Sequence, residues 1–284
     1  MLINMKKFCF IITLLLIVTL LSSTNESHAK ENQLKFEKNS ALALNYHRVR
    51  GDSILDKILY YGSNSKELKM YSVSEKKFEQ QIKWLKAHDA HFLTEKELLH
   101  YKAQGKFPPR SVWINFDDMD TSIYQNAFPI LKKYNVPATG FVITSKVGAK
   151  NYHNLNLISF KHLKIMKESG LWEFRSHTSN LHRLENNKSA MAKSSPKKLT
   201  QDIKQSNQYL RNHFDENNQS IAYPYGQIAS QNIPPIKKSG IKYGYILEDA
   251  AVTPNADNYL IPRILINDDS FDELIRNWKG FKDE

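Results

Sequence analysis

Cysteine is all but missing: the 284 residues hold one, Cys9, and it lies at the start of the first apolar stretch. Once that stretch is removed the chain has no thiol, which excludes a disulfide framework, a Cys-ligated zinc and a cysteine nucleophile. Any metal must then be held by histidine and carboxylate. An arginine-rich helix and a finger-like metal motif are lacking too, so specific nucleic-acid recognition is not expected, although the formal net charge is +11. A scattered lysine excess of that size predicts attraction to polyanions, and an anionic cell envelope is the most economical of them. Internal repeats and domain-splitting linkers are absent as well. One domain accounts for the length, since an α/β barrel takes about 250 residues and leaves room for a leader.

The leader is legible at the start. Lys6 and Lys7 precede an apolar run from Phe8 to Leu21, and a polar segment then reaches Ser27-His28-Ala29. A run this short does not span a membrane comfortably, and the small residues before the break fit a secretory signal peptide over residues 1–29. Cleavage after Ala29 leaves residues 30–284 with a formal charge of +10, because Lys6, Lys7 and Glu26 depart. The expectation is a secreted, extracellular protein held near the cell surface.

The remainder alternates strand and helix. Ala41 to Tyr46 reads as a strand that ends at His47, and the weakly periodic stretch from Gly51 to Ser72 reads as a long surface loop bordering a site. Ser74 and Thr94 open capped helices that run to about His88 and to Gly105. Ser111 to Phe116 is a second strand, followed by a helix over 124–134, a strand over 138–143, a helix over 160–169 and a strand over 171–176. Residues 186–196 read as a mobile surface loop, and 199–214 as an amphipathic helix. Ser220 to Tyr223, 241–247 and 260–266 are the last strands.

Chemistry gathers at the strand ends. The strand over 111–116 runs into two adjacent carboxylates, Asp117 and Asp118. Successive strand residues point to opposite sides, so one carboxylate can face a metal while the other faces a substrate or a water. A helix-capping role is the plainer alternative for such a pair. His177 and His182 follow another strand. On a helix, residues five apart lie about 140° from each other, so these imidazoles converge only in a loop. Two loop histidines and a carboxylate supply a set that suits a catalytic zinc with positions left open. Tyr223-Pro224-Tyr225-Gly226 ends a third strand.

Asn115-Phe116-Asp117-Asp118, His177 to His182 and Tyr223 to Gly226, taken in that order with Asn45-Tyr46-His47, resemble the motifs of the metal-dependent polysaccharide deacetylases, carbohydrate esterase family 4. The resemblance implies an α/β fold, a distorted (β/α) barrel of the polysaccharide deacetylase (NodB-like) type. It implies that Asp118, His177 and His182 bind the metal, zinc or another divalent transition metal, and that Asp117 is the general base. Tyr225 would offer its backbone N–H to the oxyanion, and His47 would protonate the departing amine. In the usual family order that acid comes from a late motif, so its early place implies a circularly permuted barrel. Met119 stands where the family commonly has Gly, the two histidines are one residue further apart than is commonest, and no Arg precedes the Pro-Tyr element. Arg263, on a late strand, is the candidate to orient Asp117 instead. The implied substrate is poly-β-1,6-N-acetyl-D-glucosamine, a biofilm exopolysaccharide, handled by a monomer. Peptidoglycan or chitin-type N-acetylglucosamine polymers are the alternative, and a catalytically silent glycan-binding module is the reading from another class.

Overall fold

The computed structural model of the chain describes residues 34–63 and 65–282. The expected leader and its cleavage point after Ala29 lie outside the described residues. In chain order the strands are β1 (Ala41–Tyr46), β2 (Arg48–Arg50), β3 (Ser72–Ser74), β4 (His91–Leu93), β5 (Ser111–Phe116) and β6 (Ala138–Val142), then β7 (Trp172–Ser176), β8 (Leu184–Glu185), β9 (Lys188–Ser189), β10 (Ser220–Ala222), β11 (Tyr243–Tyr245) and β12 (Ile264–Leu265). The main sheet runs β11-β10-β7-β6-β5-β1-β12, with β4 paired to the start of β5. Every pairing in it is parallel. A parallel bridge from Tyr245 to Ile261 links β11 to the segment that continues into β12, and this curls the sheet round on itself.

Strands buried on both faces explain the near-continuous apolar runs in the sequence. The alternation is still visible in what each residue touches. Leu42, Leu44, Tyr46, Val112, Ile114 and Phe116 belong to the large cluster that also takes in helix residues such as Phe78, Ile82 and Leu163. Their neighbours Ala41, Ala43 and Trp113 pack with Phe141, Ala222 and Tyr245 in a second cluster. Small alanines beside large aromatics suit the tapering inside of a curled sheet.

The helices begin and end where their caps dictate. Ser74, Thr94 and Ser195 each accept a backbone N–H at the start of helices Glu75–Ala87, Glu95–Gln104 and Pro196–Phe214. Gly105 stops the second of these at φ 77°, a left-handed cap that costs glycine little. The helix expected over 124–134 opens with a π-turn, Ile123–Ala127, before Phe128–Tyr134. Pro129 has no N–H for a regular turn at that point.

Two expectations are corrected. Gly51 to Ser72 is not a plain loop: it contains helices Ile54–Gly62 and Lys66–Met70, the first opened by a Ser53–Asp56 capping box. That Ser-x-x-Asp spacing is the signal the weak hydrophobic periodicity obscured. Residues 186–196 are not simply a mobile loop either. Asn186 and Asn187 take φ of 51° and 58° at the tip of the hairpin β8–β9, and Met191 is fully buried. Two consecutive left-handed residues match the twist of a hairpin, and asparagine tolerates them.

Candidate active site

The C-terminal ends of the parallel strands meet at a cleft of about 540 Å³, lined by His47, Asp117, Asp118, His177, His182 and, at its sides, Tyr71 and Tyr225. Ligands sit at this end of parallel sheets because the strands deliver side chains there from several parts of the chain. His47 leaves β1, the two aspartates leave β5, the histidine loop leaves β7 and Tyr225 follows β10.

The aspartates have different surroundings. Asp117 keeps the inward parity of Asn115, and its carboxylate accepts both arms of the Arg263 guanidinium, at 2.6 and 2.8 Å. Arg263 is fully buried over the Phe141 ring and also donates to Asn115 Oδ1 at 2.9 Å. Asn45, paired with Asn115 across β1 and β5, donates to that same oxygen at 2.9 Å. A planar fork held from below by a carboxamide pair gives Asp117 one orientation. Burial pushes the Asp117 carboxyl up, but Arg263 and His177 outweigh it and hold it below the ordinary carboxylate range.

Asp118 breaks the strand parity. It and Met119 take φ of 63° and 61°. Met119 thus adopts the left-handed backbone that glycine would take freely, and its sulfur fills the space over Gly140, where a Cβ would come within 2.6 Å of it. The turn aims Asp118 at the histidines: its Oδ1 lies 3.0 Å from His182 Nε2 and 3.5 Å from His177 Nε2. Burial pushes Asp118 up, and the two imidazoles more than reverse this, holding it well below the ordinary range. Burial pushes His177 down, and the two aspartates more than reverse this, raising it.

The donor set fits a cation. Ligand atoms of Asp118, His177 and His182 lie within 4.8 Å of one another, and all three residues are buried. Despite the proximity of the imidazoles, Asp118 Oδ1 has no hydrogen bond of sound geometry, so a buried anionic oxygen is left for another electrophile. His177 Nδ1 faces the Ala222 carbonyl at 2.9 Å, which places the proton on Nδ1 and turns the Nε2 lone pair inward.

His47 Nε2 lies 3.9 Å from Asp117 Oδ2, and its ring packs on Tyr71 at 4.7 Å. Burial pushes its pKa down to about 4, only partly offset by Asp117 and Asp118. Tyr225 stands across the cleft with its ring 4.9 Å from that of His182, at a φ of 62°. All the singled-out residues thus come together, Arg263 included. No local pattern marks Tyr71, whereas Asn45 and Asn115, one polar residue inside each of two apolar strands, are a signal in the sequence.

The chain matches the family model described as polysaccharide deacetylase over residues 104–244. It is 54% identical over 288 residues to a poly-beta-1,6-N-acetyl-D-glucosamine N-deacetylase of Staphylococcus aureus (strain COL), covering 98% of this chain and 99% of that one. A relative of the same description from Staphylococcus epidermidis is 54% identical over 284 residues, covering 98% of each. Among solved structures, IcaB from Ammonifex degensii superposes with a TM-score of 0.74 at 26% identity, over 87% of this chain and 99% of that one. The Streptococcus pyogenes deacetylase PplD in complex with acetate gives 0.69 at 26% identity, over 82% and 95%.

Proposed function

The chain belongs to the polysaccharide deacetylase family, and from that premise we propose that it is a hydrolase that removes N-acetyl groups from poly-β-1,6-N-acetyl-D-glucosamine. The observation that carries the reading is the 54% identity, sustained over nearly the whole of both chains, to deacetylases named for that polymer. The cleft supports it with a cation-ready donor set beside an oriented carboxylate.

Asp118, His177 and His182 are assigned as the ligands of a divalent cation, here taken as zinc. Such a cation supplies Lewis acidity, lowering the pKa of water and polarising a carbonyl. Asp117 is ionised at neutral pH and is the general base that takes a proton from the attacking water. Arg263 keeps that carboxylate from rotating. Tyr225 offers its backbone N–H to the oxygen on which charge develops. His47 gives a proton to the nitrogen as the C–N bond breaks, so acetate and an amine leave. His47 is neutral in the resting cleft, so its proton must arrive during the reaction, and the nearest source is Asp117, 3.9 Å away, once it has accepted one.

The acid carried by β1 rather than by a late strand is read as a circular permutation of the barrel. Secretion by residues 1–29, a monomeric domain over 30–284 and an extracellular location at the cell surface complete the reading. Among the described residues no helix is long and apolar enough to cross a membrane. The test is acetate release from β-1,6-linked N-acetylglucosamine oligomers before and after chelation. Release that a chelator abolishes and zinc restores is expected. Release confined to chitin or peptidoglycan fragments would overturn the substrate, and polymer binding with no release would leave a glycan-binding module.

A further inference from the structure

The loop from His177 to His182 has no regular secondary structure, yet its backbone is almost fully paired. His177 N–H donates to Val142 O at 2.9 Å, Thr178 N–H to Ser176 Oγ at 3.1 Å and Leu181 N–H to Thr178 Oγ1 at 3.2 Å. On the acceptor side, Thr178 O and Ser179 O take the N–H groups of Thr144 and Ser145, at 3.1 and 3.2 Å. His182 O accepts the Tyr152 hydroxyl at 2.5 Å. Two further amides, those of the consecutive residues Ser179 and Asn180, sit midway between the histidines. Both donate to one carboxylate: Ser179 N–H to Asp202 Oδ1 at 2.8 Å and Asn180 N–H to Asp202 Oδ2 at 2.7 Å.

Asp202 comes from helix Pro196–Phe214, on the same buried face as Leu199, Ile203, Ser206 and Leu210. A carboxylate on that face has no packing purpose, and burial pushes its pKa up despite the two amides. It opposes a strained backbone: Thr178, a β-branched residue, is held at φ 73°. Ser206, one turn further along, meets Ser176 Oγ at 2.8 Å, so the helix grips the loop at its root and at its middle.

We propose that Asp202 is a positioning residue for the cation site: by bracing Ser179 and Asn180 it fixes the loop that sets His182 against Asp118 and His177. This rests on the reading of those three residues as metal ligands. Removing the carboxylate leaves the buried Ser179 amide and the partly buried Asn180 amide without their partner, and a loop already under strain relaxes away from the geometry in which the two imidazoles converge. Groups that orient ligands from behind typically account for about 10–100-fold in metal affinity.

The test is the dissociation constant of zinc, measured on stripped protein by competition with a chromophoric chelator. Asp202→Ala is expected to weaken zinc binding by at least about tenfold. Asp202→Asn, which keeps one acceptor, should fall between it and the unaltered protein, and kcat at saturating zinc should stay near the original value in both. Leu210→Ala removes packing from the same helix without touching the loop, so it should lower thermal stability and leave zinc affinity unchanged. Unaltered affinity in Asp202→Ala, or an equal loss in Leu210→Ala, overturns the proposal. An unsubstituted protein that takes up no ion overturns the metal reading itself, and the proposal with it.

Discussion

Two adjacent carboxylates with opposite surroundings are the chemical centre of the molecule. Asp117 faces a buried guanidinium and Asp118 faces two imidazoles, a division produced by the left-handed turn at Asp118 and Met119 just beyond the end of β5. Separate substitutions should expose the division. Asp118→Ala is expected to lose metal and activity together, because a three-ligand site cut to two binds weakly. Asp117→Asn should retain metal, since the amide is nearly isosteric, and should lose about 10²–10⁴-fold in kcat with the general base. Metal content by atomic emission alongside turnover decides the matter. Equal loss of metal in both variants would show that the roles are not divided between the two residues.

At the scale of strands and helices, the polar contents of the curled sheet lie in two levels. Near the cleft sit Asp117, Arg263, Asn115 and Asn45. Elsewhere in β7, Arg175 joins carboxylates from three parts of the chain: Glu95 at the head of a helix, Glu173 two residues before it, at 2.7 Å, and Glu216 beyond the end of another helix, also at 2.7 Å. Tyr245 adds its hydroxyl to Glu95 at 2.6 Å. This node ties β7, β11 and two helices together. Arg175→Ala leaves three largely buried carboxylates without their shared cation, and the expected cost is about 3–5 kcal/mol, read as a lower urea midpoint at unchanged slope. A shift under about 1 kcal/mol would mean that water or Lys167 replaces the guanidinium.

These elements also show what was legible beforehand. Caps and apolar periodicity marked most helices, and the strand ending in Asp117-Asp118 was plain because its apolar run stops abruptly. Asp202 was visible in principle, since it falls three residues after Leu199 and four before Ser206 on an inward helical face. Its partners were not, because they are backbone amides more than twenty residues back in the chain. The fork between Arg263 and Asp117 spans 146 residues, and no local pattern encodes a contact made only by closing the sheet. In helix Ile54–Gly62 weak apolar periodicity masks the Ser53–Asp56 cap, which is the one local signal of its start.

Folding also redistributes charge over the whole molecule. The lysines are scattered along the sequence, yet residues 183–242 carry ten lysines and arginines against four acidic residues. Of those four, Asp202 is turned inward onto the histidine loop, Glu185 is paired with Arg183 and Glu216 is taken up by Arg175 and Lys167. Helix Pro196–Phe214 therefore presents Lys197, Lys198 and Lys204 outward, and Lys197, Lys204 and Lys238 border a groove of about 880 Å³ that shares no lining residue with the cleft. An anionic envelope could hold this face while leaving the cleft open to a polymer. Attraction of this kind is screened over about 8 Å at physiological salt and about 3 Å at 1 M. Protein adsorbed to anionic wall fragments should therefore come off between roughly 0.15 and 1 M sodium chloride. Combining Lys197→Glu, Lys204→Glu and Lys238→Glu should move release to lower salt and leave acetate release from short oligomers unchanged. Adsorption that persisted through 1 M salt would assign attachment to apolar contacts, and the cationic face would then be a solvated surface with no partner.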